Sequence, residues 1–200
     1  MYLPTLFSYL EDQNGDYLSE AVSQLQHSLQ CAASAVKGGS DNETILACLL
    51  HDVGRFIPSA KDVPPLIAPS VDYIGRESHE KLGASYLREF GFSEKVCALV
   101  GSHVAAKRYL TAVNKEYYDT LSETSKRSLK YQGGPFTENQ VLVVQKDPLL
   151  EEKLSLRRWD DLAKNPALVV PDISAYEDMA VESLLRLPTV SVHSRTYNVP

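Results

Sequence analysis

Apolar residues recur at steps of three and four along most of this chain, and only a helix brings residues so spaced onto one face. Across residues 19–37, Val22, Leu25, Leu29, Ala32, Ala33 and Val36 fall mostly at these steps, until Gly38 and Gly39 stop the run. A second helix is expected after Ser40, Asp41 and Asn42, whose short polar side chains suit an N-cap. It should run through Ile45, Leu46, Leu49 and Leu50 to about Phe56. Residues 57–76 hold four prolines and a glycine, so they form a loop rather than a continuous helix. Further helices are expected over residues 77–90, closed by Gly91, and from a Ser93 cap to about Tyr109. One or two shorter helices fit residues 117–131, ahead of the Gly-Gly-Pro at 133–135, and the pattern resumes over 149–163 and 175–187. Thr189 to Ser194 alternates like a strand but lacks an obvious partner. The pattern predicts one all-α domain over residues 1–187 with an irregular tail over 188–200.

Composition narrows the function classes. Of the 200 residues 44% are hydrophobic and 23% charged, with a formal net charge of −6, which is the balance of a soluble globular protein. An acidic chain has no global attraction to nucleic acid or to an anionic membrane, so neither is expected as a partner. No apolar run approaches the roughly 20 residues needed to span a bilayer, and the N-terminus lacks the basic and apolar regions of a signal peptide. Three cysteines, Cys31, Cys48 and Cys97, each sit in an apolar helical pattern without a CxxC. An odd count without a framework predicts reduced thiols and a cytoplasmic location.

The chemistry concentrates in the histidines. Four of the five fall on different expected helices, each near the apolar face. His27 lies between Leu25 and Leu29, and His51 ends the run LACLL. His79 is followed by Leu82, Tyr86 and Leu87 at i+3, i+7 and i+8, and His103 closes ALVGS. Any single helical histidine is most often a satisfied core or surface residue. Four converging ones, with Asp52 directly after His51, offer imidazole nitrogens and a carboxylate able to bridge two metal ions. His193, in the tail, is expected to be exposed and inert.

His27, the His51-Asp52 pair and a late aspartate resemble the H…HD…D set of the HD-domain superfamily. The added His79 and His103 resemble its dinuclear members, among them the mixed-valence di-iron oxygenases related to inositol oxygenase. The resemblance is closer still to the branch that oxidatively cleaves carbon–phosphorus bonds, typified by conversion of 2-amino-1-hydroxyethylphosphonate to glycine and phosphate. It rests on QLQHSLQCA, DNETILACLLHDVG, HEKLGASYLREFGFSEKV, GSHVAAKRYL, LKYQGGP and the RRWD region, which together span about residues 17–161. It implies an HD-domain helical bundle. It further implies one iron held by His27, His51, Asp52 and Asp160, and a second by Asp52, His79 and His103, as an Fe(II)/Fe(III) pair bridged by Asp52. Asp161 is the neighbouring candidate for the late carboxylate; Asp160 is preferred because it follows Trp159, as in the family's arginine-x-Trp-Asp pattern.

The same resemblance assigns a phosphonate-binding set to Lys107, Ser125, Gln132 and Arg157. Two cations and two neutral hydrogen-bonding groups suit a doubly charged phosphonate. Tyr17 and Glu20 match a substrate-responsive gate at the metal. Arg55 departs from the pattern, standing where the glycine-forming relatives have a second histidine, and bears on recognition of the substrate's distal end. Arg108 and Arg158 are expected to be structural or exposed. The implied activity is O2-dependent cleavage of a small 1-hydroxyalkylphosphonate to a carboxylic acid and phosphate. A dinuclear phosphohydrolase acting on a small phosphoester would use the same ligands, and a phosphonate-binding protein without turnover would use the same pocket.

Overall fold

A computed structural model describes residues 3–15, 17–18, 20–67 and 73–185. Its helices are α1 (Leu3–Glu11), α2 (Gln24–Lys37), α3 (Asn42–Leu50), α4 (His79–Phe90), α5 (Glu94–Val100) and α6 (His103–Val113). They continue with α7 (Lys115–Thr120), α8 (Glu123–Tyr131), α9 (Glu138–Val144), α10 (Leu150–Leu162) and α11 (Glu177–Leu185). The all-α expectation holds for the architecture. Within the proline-rich segment lie a 3-10 turn (Pro58–Asp62) and a short antiparallel hairpin of β1 (Pro65–Ile67) and β2 (Tyr73–Arg76), with Pro65 opposite Arg76.

α3 is the centre of the bundle because it is apolar all round. Every residue from Thr44 to Leu50 is buried, and Leu46, Leu49 and Leu50 are wholly so. Each such leucine contributes roughly 1.5–3 kcal/mol relative to an exposed one. α2, α5, α10 and α11 pack around it, α4 lies on α5, and α6 lies on α10. A smaller apolar cluster of Ala106, Tyr109, Leu110 and Leu154 is covered by Val141 and Val144 of α9.

Several boundaries differ from the periodic pattern, each for a local reason. α2 begins at Gln24 rather than near residue 19, because Ser23 and Gln26 form a reciprocal capping box that fixes the start there. α3 stops at Leu50 instead of reaching Phe56. His51 and Asp52 form the turn that leaves it, and Val53–Arg55 tighten into a 3-10 turn against α4. The helix expected to run from Ser93 to Tyr109 is two, interrupted at Gly101-Ser102, so that His103 heads α6. α4 begins at His79, after Ser78 in the left-handed region at φ 52°. The periodicity left α1 and α9 unassigned; both are short. The tail over residues 188–200, with His193, lies outside the described residues. Among the described residues no helix is long and apolar enough to cross a membrane.

Candidate metal centre and anion pocket

The four helical histidines meet in two facing pairs. His27 Nε2 lies 3.0 Å from His51 Nε2, and His79 Nε2 lies 3.0 Å from His103 Nε2. Each ring is oriented from behind by a backbone carbonyl at its Nδ1. The acceptors are Ala163 at 2.8 Å for His27, Cys48 at 2.8 Å for His51, Arg76 at 3.1 Å for His79 and Val100 at 2.9 Å for His103. A carbonyl can only accept, so Nδ1 carries a hydrogen in all four and Nε2 is the nitrogen turned toward the centre.

Asp52 stands between the pairs. Its Oδ2 is 3.6 Å from His51 Nε2 and 3.9 Å from His27 Nε2; its Oδ1 is 3.2 Å from His79 Nε2 and 3.8 Å from His103 Nε2. Asp160 Oδ1 adds to the first pair, 3.3 Å from His27 and 3.8 Å from His51. All six side chains are at most 3% exposed. The two clusters His27-His51-Asp52 and Asp52-His79-His103 each converge tightly enough to hold one ion. Of the two adjacent aspartates Asp160 alone points at the histidines, since Asp161 pairs with Arg157 and accepts from Tyr117 Oη at 2.5 Å.

The donor set fits a metal pair. Two unprotonated nitrogens at 3.0 Å repel unless a proton or cation lies between them. A set of imidazole nitrogens and carboxylate oxygens suits a first-row transition metal. Burial disfavours charged His51, but Asp52, Cys31 and Asp160 outweigh it and raise its pKa to about 10. His51 thus keeps a proton that an arriving cation displaces. His103 is pushed well below the usual range by burial and by His79 and His51, so its nitrogen is free to ligate. Asp52 and Asp160 stay ionised: burial opposes this, yet Arg55, His51 and His79 hold the first low, and Arg157, His27 and His51 the second.

A pocket opens on this centre, lined by Asp52, His79, His103 and Asp160 together with Tyr17, Glu20, Arg55, Lys107, Ser125, Gln132 and Arg157. His27 and His51 lie wholly buried behind it. Lys107, 3% exposed, donates to Ser128 Oγ at 2.9 Å and keeps two further N–H groups. Arg157 spends three of its five N–H groups on Asp160, Asp161 and the Tyr117 hydroxyl, which leaves one on each terminal nitrogen. Gln132 buries its Oε1 without a partner among the described residues. Tyr17 stacks flat on His27, with ring centroids 3.8 Å apart. Arg55 donates from Nε to Asp52 Oδ1 at 2.8 Å and lies over the Tyr17 ring. It therefore engages the Asp52 carboxylate from within the pocket.

The helical pattern gave no reason to single out four residues of this site. Gln24 donates to Asp52 Oδ2 at 3.3 Å, Ser128 holds Lys107, Tyr117 backs Arg157, and Lys164 lines the pocket beside Glu20. Lys164 lies one helical turn beyond Asp160, the spacing that links Lys107 to His103. α10 has ended by then, so the spacing alone does not place it.

A model of the HD domain matches residues 25–164. The chain is 37% identical over 182 residues to the hydroxymethylphosphonate dioxygenase of Gimesia maris, covering 90% of this chain and 87% of that protein. It is 38% identical over 163 residues to the glycine-betaine-forming [1-hydroxy-2-(trimethylamino)ethyl]phosphonate dioxygenase of Leisingera caerulea, covering 80% of each. An uncharacterised protein of Acanthamoeba polyphaga mimivirus is 33% identical over 181 residues.

Proposed function

The chain belongs to the HD-domain family, and from that premise we propose that it is an O2-dependent oxygenase with two iron ions, Fe(II)/Fe(III), that cleaves the carbon–phosphorus bond of a 1-hydroxyalkylphosphonate. The observation that carries the proposal is the junction of two features in one pocket: two His/Asp clusters that share Asp52 and could each hold an ion, and the side chains of Lys107 and Arg157 lining the same pocket. Iron is favoured because His79, His103 and Asp52 would supply a two-histidine, one-carboxylate donor set to it. The names of the relatives from Gimesia maris and Leisingera caerulea support the same substrate class and the use of O2.

The reaction balances as RCH(OH)PO3²⁻ plus O2 giving RCOO⁻, HPO4²⁻ and H⁺. Carbon is oxidised, O2 is reduced, and the carboxylate and the phosphate each gain one oxygen. The metal pair, when bound, supplies the redox chemistry with O2. The chain supplies position: Lys107 and the free edges of Arg157 hold phosphonate oxygens, with Ser125 and Gln132 as neutral partners. Asp161 and Tyr117 fix Arg157 so that its remaining N–H groups need no reorganisation. Tyr17 and Glu20, which line the pocket, are assigned to a substrate-responsive gate at the metal. Three buried free thiols accord with a reduced, cytoplasmic setting.

The test is anaerobic purification, metal analysis, and assay of O2 uptake and phosphate release with hydroxylated phosphonates. Two irons per chain and one O2 per phosphate are expected. Iron-free protein that hydrolyses phosphoesters with manganese or cobalt would replace the proposal with a hydrolase, and tight phosphonate binding without O2 uptake would replace it with a binding protein. A pH profile reads the anion site separately. Burial, then Arg157, depresses Lys107 to about 7, so it is cationic only below that. The phosphonate is dianionic above about pH 6, on the model of a phosphate. kcat/KM should therefore form a bell near neutrality whose alkaline limb belongs to Lys107. Lys107→Arg should carry that limb to higher pH; a limb that stays in place belongs to another group.

A further inference from the structure

At the pocket's edge Glu20 Oε1 accepts from Lys164 Nζ at 2.8 Å, and the two side chains are only 18% and 17% exposed. Serines lock the pair in place. Ser122 Oγ donates to Glu20 Oε1 at 2.9 Å, and Lys164 Nζ reaches Ser122 Oγ at 3.1 Å and Ser125 Oγ at 3.5 Å. Of the carboxylates among the described residues lining this pocket, Asp52 and Asp160 serve the metal centre. Glu20 remains, and Lys164 already neutralises it. The pocket encloses a cavity of about 30 Å3.

Resting on the reading of the site above, we propose that the substrate carries no cationic group beyond its hydroxyl-bearing carbon. Hydroxymethylphosphonate, or a homologue with a short neutral tail, is the substrate class, and the Glu20–Lys164 pair is the specificity element. An ammonium on the tail enters a pocket where Arg55, Arg157 and Lys164 are cationic and no carboxylate among the described lining residues is free to receive it. Specificity of this kind works through repulsion of the wrong tail as much as through attraction of the right one.

The experiment compares kcat/KM for phosphate release by the metal-loaded enzyme from three substrates. These are hydroxymethylphosphonate and two of nearly equal size, 1,2-dihydroxyethylphosphonate and 2-amino-1-hydroxyethylphosphonate, which differ in charge. The neutral diol is expected to exceed the amine by about a hundredfold, as like-charge juxtaposition costs several kcal/mol. Lys164→Met keeps the apolar stem but frees Glu20. It should narrow that preference by about tenfold or more, chiefly through a lower KM for the amine. Lys164→Gln serves the same comparison should the methionine variant not fold. A wild type that prefers the amine overturns the inference and leaves the oxygenase standing. Preference unchanged in both variants also overturns it, since the pair then does not discriminate. Phosphate from none of the three removes the oxygenase reading, and this inference with it.

Discussion

Asp52→Asn should reduce the enzyme to at most one bound metal and lower C–P cleavage by more than about a thousandfold, because two metals acting together supply several kcal/mol of catalysis. The carboxylate faces both histidine pairs, with Oδ2 toward His27 and His51 and Oδ1 toward His79 and His103. An amide of the same shape has one ligating oxygen and no charge, so it serves one pair and leaves the other with imidazoles alone. It also places an N–H where a lone pair stood, against either a metal or the Arg55 guanidinium that now donates to Oδ1. Metal analysis after gel filtration reads the stoichiometry directly. Thermal unfolding with and without added metal gives a second measure, since an ion that binds only the folded state raises the melting temperature of the wild type. A variant that keeps two metals and wild-type turnover would show that Asp52 does not bridge.

Gly54→Ala should be nearly as damaging, although Gly54 touches no metal. A Cβ at this position would lie 2.0 Å from the His79 carbonyl oxygen and 2.7 Å from the Gly83 nitrogen. Both are backbone atoms of α4, so relief requires moving the helix that carries His79. Overpacking a core typically costs about 1–3 kcal/mol, and contact with backbone on two sides places this case at or above the top of that range. The folded fraction should lose its metal at His79 and His103 before the one at His27 and His51. Gly39→Ala is the control. Its φ of 71° strains an alanine, but nothing lies within 4 Å of the added methyl, so the cost is only the roughly 1–2 kcal/mol of a left-handed residue. Equal losses in the two variants would show that α4 yields to the added methyl at little cost.

This close approach marks the limit of what periodicity conveys. The helical period placed His27, His51, His79 and His103 on inward faces of separate helices, and the structure brings them into two pairs around one aspartate. The pattern could not show that the second helix ends at Leu50. The interruption depends on α4 resting on Gly54, a contact between segments some thirty residues apart in sequence, and helix patterns report only local spacing. The break at Gly101-Ser102 is similar: α4 packs there too, with Ala84 Cβ 3.1 Å from where a Gly101 side chain would start. Both interruptions fall beside histidines of the two pairs, His51 and His103, where a continuous helix would aim the side chain elsewhere.

Residue type and spacing by themselves determined the all-helical class, the inward histidines, the place of Asp52 directly after His51, and the resemblance that singled out Lys107 and Arg157. Each depends on side-chain chemistry or on neighbours within a few helical turns. Tertiary structure decided the rest. It put Asp160 rather than Asp161 against the histidines, because Asp161 is held by Arg157 and Tyr117. It turned Arg55 onto Asp52 and Tyr17, and it joined Lys164 to Glu20 across the pocket. Electrostatic partners in a buried site are chosen by distance in space, and Glu20 and Lys164 are 144 residues apart along the chain.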